Sequence, residues 1–194
     1  ILTFFLGFFF TLLVAPRLER LEKIALGWVI GLGFVTQELF LLSIFNINYS
    51  IFAVLGPLLI SDVVLGILVC QRFDFKIHLK LSPRYWLSLA RYWFNELSLW
   101  EQILLVMLGI LVFGAFAKAL FWPVFYWDAL ALYDYRGKIF FDAKGIAESM
   151  ALTSIPLHGA PPMTSLAHTF IYILGGKNAN PQFIYPMFYL SLIA

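Results

Sequence analysis

The residue whose type and position best suit chemistry is Asp128, which follows a long apolar run and opens a polar loop. A carboxylate placed just outside the hydrocarbon can act as a general base, or can hold a divalent cation against a phosphate. It can equally cap the first amides of a helix that follows. These interpretations are compatible, so Asp128 is our predicted catalytic residue and our candidate metal ligand.

The loop that Asp128 opens carries further polar residues of a type that binds phosphate. Arginine and lysine stabilise a phosphate group by charge-assisted hydrogen bonds, and a histidine can touch it as well. We therefore predict four substrate-binding residues: Asp134, Arg136, Lys138 and His158. The plainer alternatives are contacts of the cations with solvent or lipid headgroups, an ordinary loop histidine, and a local Asp134–Lys138 ion pair at helical spacing.

An amphipathic helix over Ala129 to Ala147 is expected to present these residues. Its apolar stripe consists of Leu132, Tyr135, Ile139, Phe140, Ala143 and Ile146. Its polar face consists of Asp134, Lys138 and Asp142. Such a pattern is typical of a helix that lies flat on a membrane surface. Gly137 and Gly145 weaken it and predict a break into two pieces.

The composition requires a membrane. Of 194 residues, 62% are hydrophobic and 12% are charged, whereas a soluble domain carries about 25% charged residues. The net charge of +2 gives no reason to expect a nucleic-acid partner, and the single cysteine excludes an internal disulfide. Both ends of the sequence lie within apolar runs, so we expect a part of a longer membrane protein.

Six apolar runs predict an all-α, multi-pass transmembrane helix bundle of about six spans. The runs are Ile1–Ala15, Ile24–Phe45, Ile51–Cys70, Ile103–Phe125, Met163–Leu174 and Phe183–Ala194. The fifth is short for a span, which leaves a re-entrant segment open. A second amphipathic stretch, from Trp86 to Trp100, predicts an interfacial cytoplasmic helix. We divide the chain into N-terminal helices (1–100) and a membrane core (101–194).

The distribution of basic residues predicts the orientation of the bundle. The links 16–23 and 71–100 are rich in arginine and lysine, so we place them in the cytoplasm. The loop 126–162 is then extracytoplasmic, and Lys177 returns to the cytoplasmic side if the fifth run spans.

Two stretches resemble a known superfamily. The run Trp127–Leu130, continued by Tyr133–Phe141, looks like the first external loop of GT-C type membrane glycosyltransferases. The stretch His158–Met163, leading into an apolar helix that ends at Gly176, resembles the segment that closes this loop in many bacterial members. One departure is that Ala129 and Leu130 stand where many members carry a second carboxylate.

The resemblance implies an enzyme that transfers a sugar from a polyprenyl-phosphate-linked donor to an acceptor on the extracytoplasmic face. Its partners would be the lipid-linked donor, membrane lipids and an acceptor that the sequence does not identify. It implies a multi-pass protein of the prokaryotic cytoplasmic membrane, with Asp128 at the catalytic mouth. A divalent metal is compatible with this chemistry, and the cofactor is otherwise unknown.

Ionisable residues within the predicted spans support a different function. Charges in lipid are costly and face the bundle interior or a cavity. Glu38 and Asp62 are therefore candidates for the path of a membrane transporter or channel subunit, and Lys118 lies near the outer end of the fourth run. His168, within the fifth run, is expected to hydrogen-bond to a neighbouring helix. A non-catalytic scaffold remains a third alternative.

Overall fold

The computed structural model describes residues 1–73, 94–121, 133–146 and 162–185, and all the regular structure in these segments is helical. Six α-helices and one 3-10 helix follow in order: α1 (Leu2–Val14), α2 (Arg20–Ile44), α3 (Ile51–Arg72), α4 (Leu99–Phe121), α5 (Tyr135–Ala143), α6 (Met163–Gly175) and η1 (Pro181–Ile184). The all-helical prediction is confirmed for these residues.

Among the described residues, three helices are long and apolar enough to cross a membrane, and most of the sixth predicted run, Phe183–Ala194, lies outside these residues. The three helices cover Leu21–Ile44, Ile51–Arg72 and Leu99–Lys118, which indicates a membrane protein. The helix α6 has 13 residues. At 1.5 Å per residue it is about 20 Å long, whereas a bilayer core is about 30 Å thick. The prediction of about six spans is therefore not supported.

Glycines bring α1 and α2 into close contact. A methyl group at Gly31 would overlap the carbonyl oxygen of Thr3, and one at Gly7 would overlap the backbone of Gly27 and Gly31. A Cβ at Gly27 would lie 3.2 Å from the Cα of Phe8. The Gly27-x-x-x-Gly31 spacing thus permits backbone packing of the kind that small residues allow in membranes.

Hydrogen bonds define the two ends of the α1–α3 bundle. Arg72 Nη1 donates to the Leu13 carbonyl oxygen at 3.0 Å, so α1 and α3 end side by side. At the opposite end the backbone N–H of Tyr49 donates to the Lys144 carbonyl oxygen at 2.8 Å. The basic link 16–23 and the loop that contains Lys144 consequently lie at opposite ends of α2.

The loop helix α5 packs into the core with part of its surface. Phe140 is 1% exposed and packs with Leu39, Leu42 and Leu166 in one hydrophobic cluster. The helix continues through Gly137 and ends before Lys144, whose φ of 56° closes it. Ala143 is buried as predicted, whereas Tyr135, placed on the apolar stripe, is exposed.

The C-terminal end of α6 returns to the same end of the molecule as α5. Lys177 Nζ lies 2.6 Å from Asp142 Oδ2. An ion pair cannot join groups on opposite faces of a bilayer, so Lys177 and Asp142 lie on the same side, and the condition for a return of Lys177 to the cytoplasmic side, a spanning fifth run, is not supported. The ion pair and the short length of α6 both favour the re-entrant interpretation of the fifth run.

The helix α4 begins earlier than predicted, because Ser98 and Glu101 form a reciprocal cap. Ser98 N donates to Glu101 Oε2 at 2.7 Å, and Glu101 N donates to Ser98 Oγ at 3.4 Å. Trp100 therefore belongs to α4 and not to the interfacial helix, most of which lies outside the described residues. None of the described residues of α4 is buried, and most of its apolar side chains are exposed, as expected for a helix in contact with lipid.

Candidate functional site

The densest group of chemically capable side chains lies between α5 and α6, around Asp134. This carboxylate is 3% exposed. It does not cap α5 with its side chain; instead it is surrounded by Lys138, His168 and Tyr172. We call these four residues and Tyr185 the Asp134 cluster.

Each neighbour of Asp134 meets a defined oxygen. Lys138 Nζ lies 2.9 Å from Oδ2 and confirms the predicted ion pair at i, i+4. The Tyr172 hydroxyl donates to Oδ1, and His168 Nδ1 lies 3.5 Å from the same oxygen. The last distance is long for a hydrogen bond, so the histidine contact is mainly electrostatic.

A second contact extends the cluster toward η1. His168 Nε2 lies 2.8 Å from the hydroxyl of Tyr185, which follows that helix. The two ring nitrogens of His168 thus face the Asp134 carboxylate on one side and the Tyr185 hydroxyl on the other.

The electrostatics of the cluster keep Asp134 ionised. Burial alone raises the pKa of its carboxyl, but the nearby His168 imidazole and the hydrogen bonds from Tyr172 and Lys138 outweigh burial and hold the pKa at about 2. A carboxylate with so low a pKa is a poor general base near neutral pH, because it gains little from accepting a proton. The cluster is therefore better suited to positioning side chains than to removing protons.

Backbone contacts bring α5 and α6 close enough for this arrangement. A Cβ at Gly137 would lie 2.8 Å from the Cβ of His168 and 3.0 Å from the Ser165 carbonyl oxygen. Thr169 Oγ1 donates to the Gly137 carbonyl oxygen at 3.1 Å. Ser165, His168 and Thr169 are fully buried in this contact.

Only some of the predicted site residues belong to the Asp134 cluster. Asp128 and His158 lie outside the described residues. Asp134 and Arg136, which is 7% exposed, are both buried, so the expectation of Asp134 on a wet helix face is wrong. The Lys138 side chain is 40% exposed, and Lys144, a further candidate cation of this loop for the phosphate, is exposed as well.

Sequence reasoning did not connect His168, Tyr172 and Tyr185 to Asp134. The four-residue spacing of His168 and Tyr172 places them on one face of α6, which is a visible signal. Their partner lies more than 30 residues earlier, and nothing local indicates it.

A metal site is not formed by the described segments. They contain no group of three or more histidine, cysteine, aspartate or glutamate residues placed to hold an ion. The candidate ligand Asp128 lies outside them.

Comparison with protein-family models, with curated proteins and with solved structures gives no significant match for this chain.

Proposed function

We propose that this chain is part of a membrane glycosyltransferase of the GT-C type, which transfers a sugar from a polyprenyl-phosphate-linked donor to an acceptor on the extracytoplasmic face. The proposal combines the resemblance of two sequence stretches with the way in which parts of these stretches pack.

One observation carries the proposal. Most of the stretch 133–141 lies in α5, and the later stretch leads into α6; the two helices pack on each other around buried Asp134. Segments about 30 residues apart in sequence thus form one unit at one end of the membrane helices. A loop helix fixed to the bundle in this way would hold a catalytic residue in a constant position relative to the bilayer.

The described side chains suggest separate roles within this function. Lys138 is half-exposed and positively charged, so we assign it to the donor phosphate. Asp134 holds the Lys138 ammonium at 2.9 Å and is itself shielded from substrate, so we assign it as a positioning residue. Asp128 remains the proposed general base.

The reaction would proceed at the membrane surface. An acceptor hydroxyl oxygen forms a bond to the anomeric carbon of the sugar while its proton passes to the Asp128 carboxylate. The bond from the anomeric carbon to the phosphate oxygen breaks, and polyprenyl phosphate leaves with the electron pair. Lys138 would stabilise the negative charge that develops on this leaving group.

The test is transfer of labelled sugar by the full-length protein in membranes, from a panel of polyprenyl-phosphate sugars. We expect transfer to vanish in Asp128→Asn and to persist in Asp142→Asn, a control carboxylate that is about half-exposed on the same loop. Equal transfer by Asp128→Asn and the unaltered protein would remove Asp128 from the site. Absence of transfer with every donor would contradict the glycosyltransferase proposal.

A transporter is the second candidate, and one observation favours it. Among the described residues neither oxygen of Asp62 has a hydrogen-bond partner, and Glu38 Oε1 also has none. Asp62 is 8% exposed within α3. The two carboxyl groups are not hydrogen-bonded to each other, which weakens the idea of one shared path. Proton or ion flux into vesicles that is lost in both Asp62→Asn and Glu38→Gln would favour transport.

A further inference from the structure

A groove lies where α1 and α3 end side by side. It is lined by Leu13, Leu68, Gln71 and Arg72, has a volume of about 400 Å³ and is shallow and largely open to its surroundings. The groove lies at the opposite end of α2 from the Asp134 cluster, so it is separate from the proposed catalytic region.

Two cations donate to backbone carbonyl groups near the end of α1, and one of them, Arg72, also lines the groove. Arg72 Nη1 donates to the Leu13 carbonyl oxygen at 3.0 Å, and Lys23 Nζ donates to the Pro16 carbonyl oxygen at 2.9 Å. The two acceptor residues, Leu13 and Pro16, are three positions apart and lie in the last turn of α1 and just after it. The Leu13 bond uses one of the five N–H donors of a guanidinium group, whose fork geometry suits a phosphate.

The acidic residues of the same link take part in the start of α2. Glu22 Oε2 accepts from the backbone N–H of Glu19 at 2.8 Å, and the Glu19 side chain accepts from the N–H of Glu22 in return. This reciprocal cap commits both carboxylates to backbone amides. Arg17 adds a further positive charge to the link.

The lining changes from polar to apolar along the helices. Arg72 and Gln71 lie at the end of α3, whereas Leu68 lies one turn earlier and is 44% exposed. Leu13 lies in the last turn of α1. A ligand with an anionic head at the helix ends and an apolar tail along the helices matches this order, whereas a free anion would leave the leucines unused.

We propose that this groove binds an anionic phospholipid, with its phosphate on Arg72 and Lys23 and an acyl chain against Leu13 and Leu68. Basic pockets between the ends of membrane helices bind acidic lipid headgroups, and each cation near the surface strengthens this attraction. The site would fix the end of the bundle that carries the basic link in the leaflet where such lipids are abundant.

The test is native mass spectrometry of the full chain in detergent, titrated with phosphatidylglycerol and, separately, with phosphatidylcholine. We expect preferential retention of phosphatidylglycerol and a loss of roughly fivefold in its affinity for each cation removed, in Arg72→Gln and in Lys23→Gln. Lys177→Gln, an exposed cation at the far end of the molecule, is the matched control and should bind as the unaltered chain does.

Two further measurements distinguish loss of lipid binding from loss of folding and from binding of a simple anion. Leu68→Trp keeps both cations but fills the apolar part of the groove, so it should weaken phosphatidylglycerol binding even if Arg72→Gln fails to fold. Inorganic phosphate at millimolar concentration should not displace the lipid; displacement would show an anion site without a lipid tail and would overturn the proposal. Unchanged phosphatidylglycerol retention in folded Arg72→Gln and Leu68→Trp would overturn it as well.

Discussion

Lys177 Nζ and Asp142 Oδ2 lie 2.6 Å apart, although 35 residues separate them in the chain. Asp142 is on the last turn of α5, and Lys177 follows the end of α6. The pair closes a unit in which α5 and the 3-10 helix η1 both pack against α6. Both side chains are about half-exposed, so the pair is expected to contribute less than about 1 kcal/mol to stability. The pair is informative about topology, because it places Asp142 and Lys177 at the same end of the molecule.

Labelling with a membrane-impermeant maleimide should show this topology. In a Cys70→Ser background, we expect Asp142→Cys and Lys177→Cys to react from the same side of the membrane. Arg17→Cys, which lies in the link at the opposite end of α2, should react from the other side. Reaction of positions 142 and 177 from opposite faces would mean that α6 spans the bilayer, contrary to the structure.

Substitution of Gly31 should destabilise the α1–α2 contact. In Gly31→Ala the added methyl group overlaps the Thr3 carbonyl oxygen, and a backbone atom cannot move aside as a flexible side chain can. We expect a loss of about 1–3 kcal/mol in the free energy of unfolding, as is typical of overpacking. The measurement is thermal or denaturant unfolding in detergent.

The same helix offers a matched control for this substitution. A Cβ at Gly33 would meet no atom within 4 Å, and alanine is a better helix former than glycine. Gly33→Ala should therefore be neutral or slightly stabilising. Equal destabilisation by the two substitutions would indicate that helix α2 is sensitive to any added side chain, and not that Gly31 is a packing point.

The hydrophobic pattern predicts the bounds of α2 and α3 well, because length and apolarity are local properties, although it predicts more spans than the described residues contain. The predicted Ile24–Phe45 and Ile51–Cys70 correspond closely to α2 and α3. The start of α4 is predicted less well, because the Ser98–Glu101 cap consists of polar residues that a hydrophobic pattern does not include. The expectation for α6 follows from its apolar composition, but the same composition also suits a short helix buried among others.

The Asp134 cluster was harder to predict, for a physical reason. A carboxylate at i and a lysine at i+4 are typical of a solvated helix face, and the ion pair was predicted on that basis. Burial of this face depends on α6, which contributes Tyr172 and His168 from a distant part of the chain. Helical periodicity alone does not reveal such a partner, so it predicts that the polar face of α5 is exposed to water and not buried.

Removal of the Asp134 charge should unfold or loosen the contact between α5 and α6. Asp134→Asn leaves Lys138, His168 and Tyr172 without their shared anion, and breaking a buried charged pair is costly. We expect a loss of about 2–3 kcal/mol in the free energy of unfolding. Asp142→Asn, in which only a half-exposed ion pair is lost, should change it by less than about 1 kcal/mol. Similar losses in the two variants would contradict the central position of Asp134.

Acidification should weaken the fold through the same carboxylate. The pKa of Asp134 is about 2 in the folded chain, below its ordinary value of 3.8, so the unfolded chain binds the proton more readily. Stability from this group is then complete above about pH 4 and is lost as the pH falls toward 2. The loss amounts to about 2 kcal/mol. Unfolding in detergent, measured between pH 5 and pH 2, should show this decline in the unaltered chain and a smaller one in Asp134→Asn. Parallel pH profiles of the two proteins would assign the acid sensitivity to other carboxylates and contradict a strongly lowered pKa at Asp134.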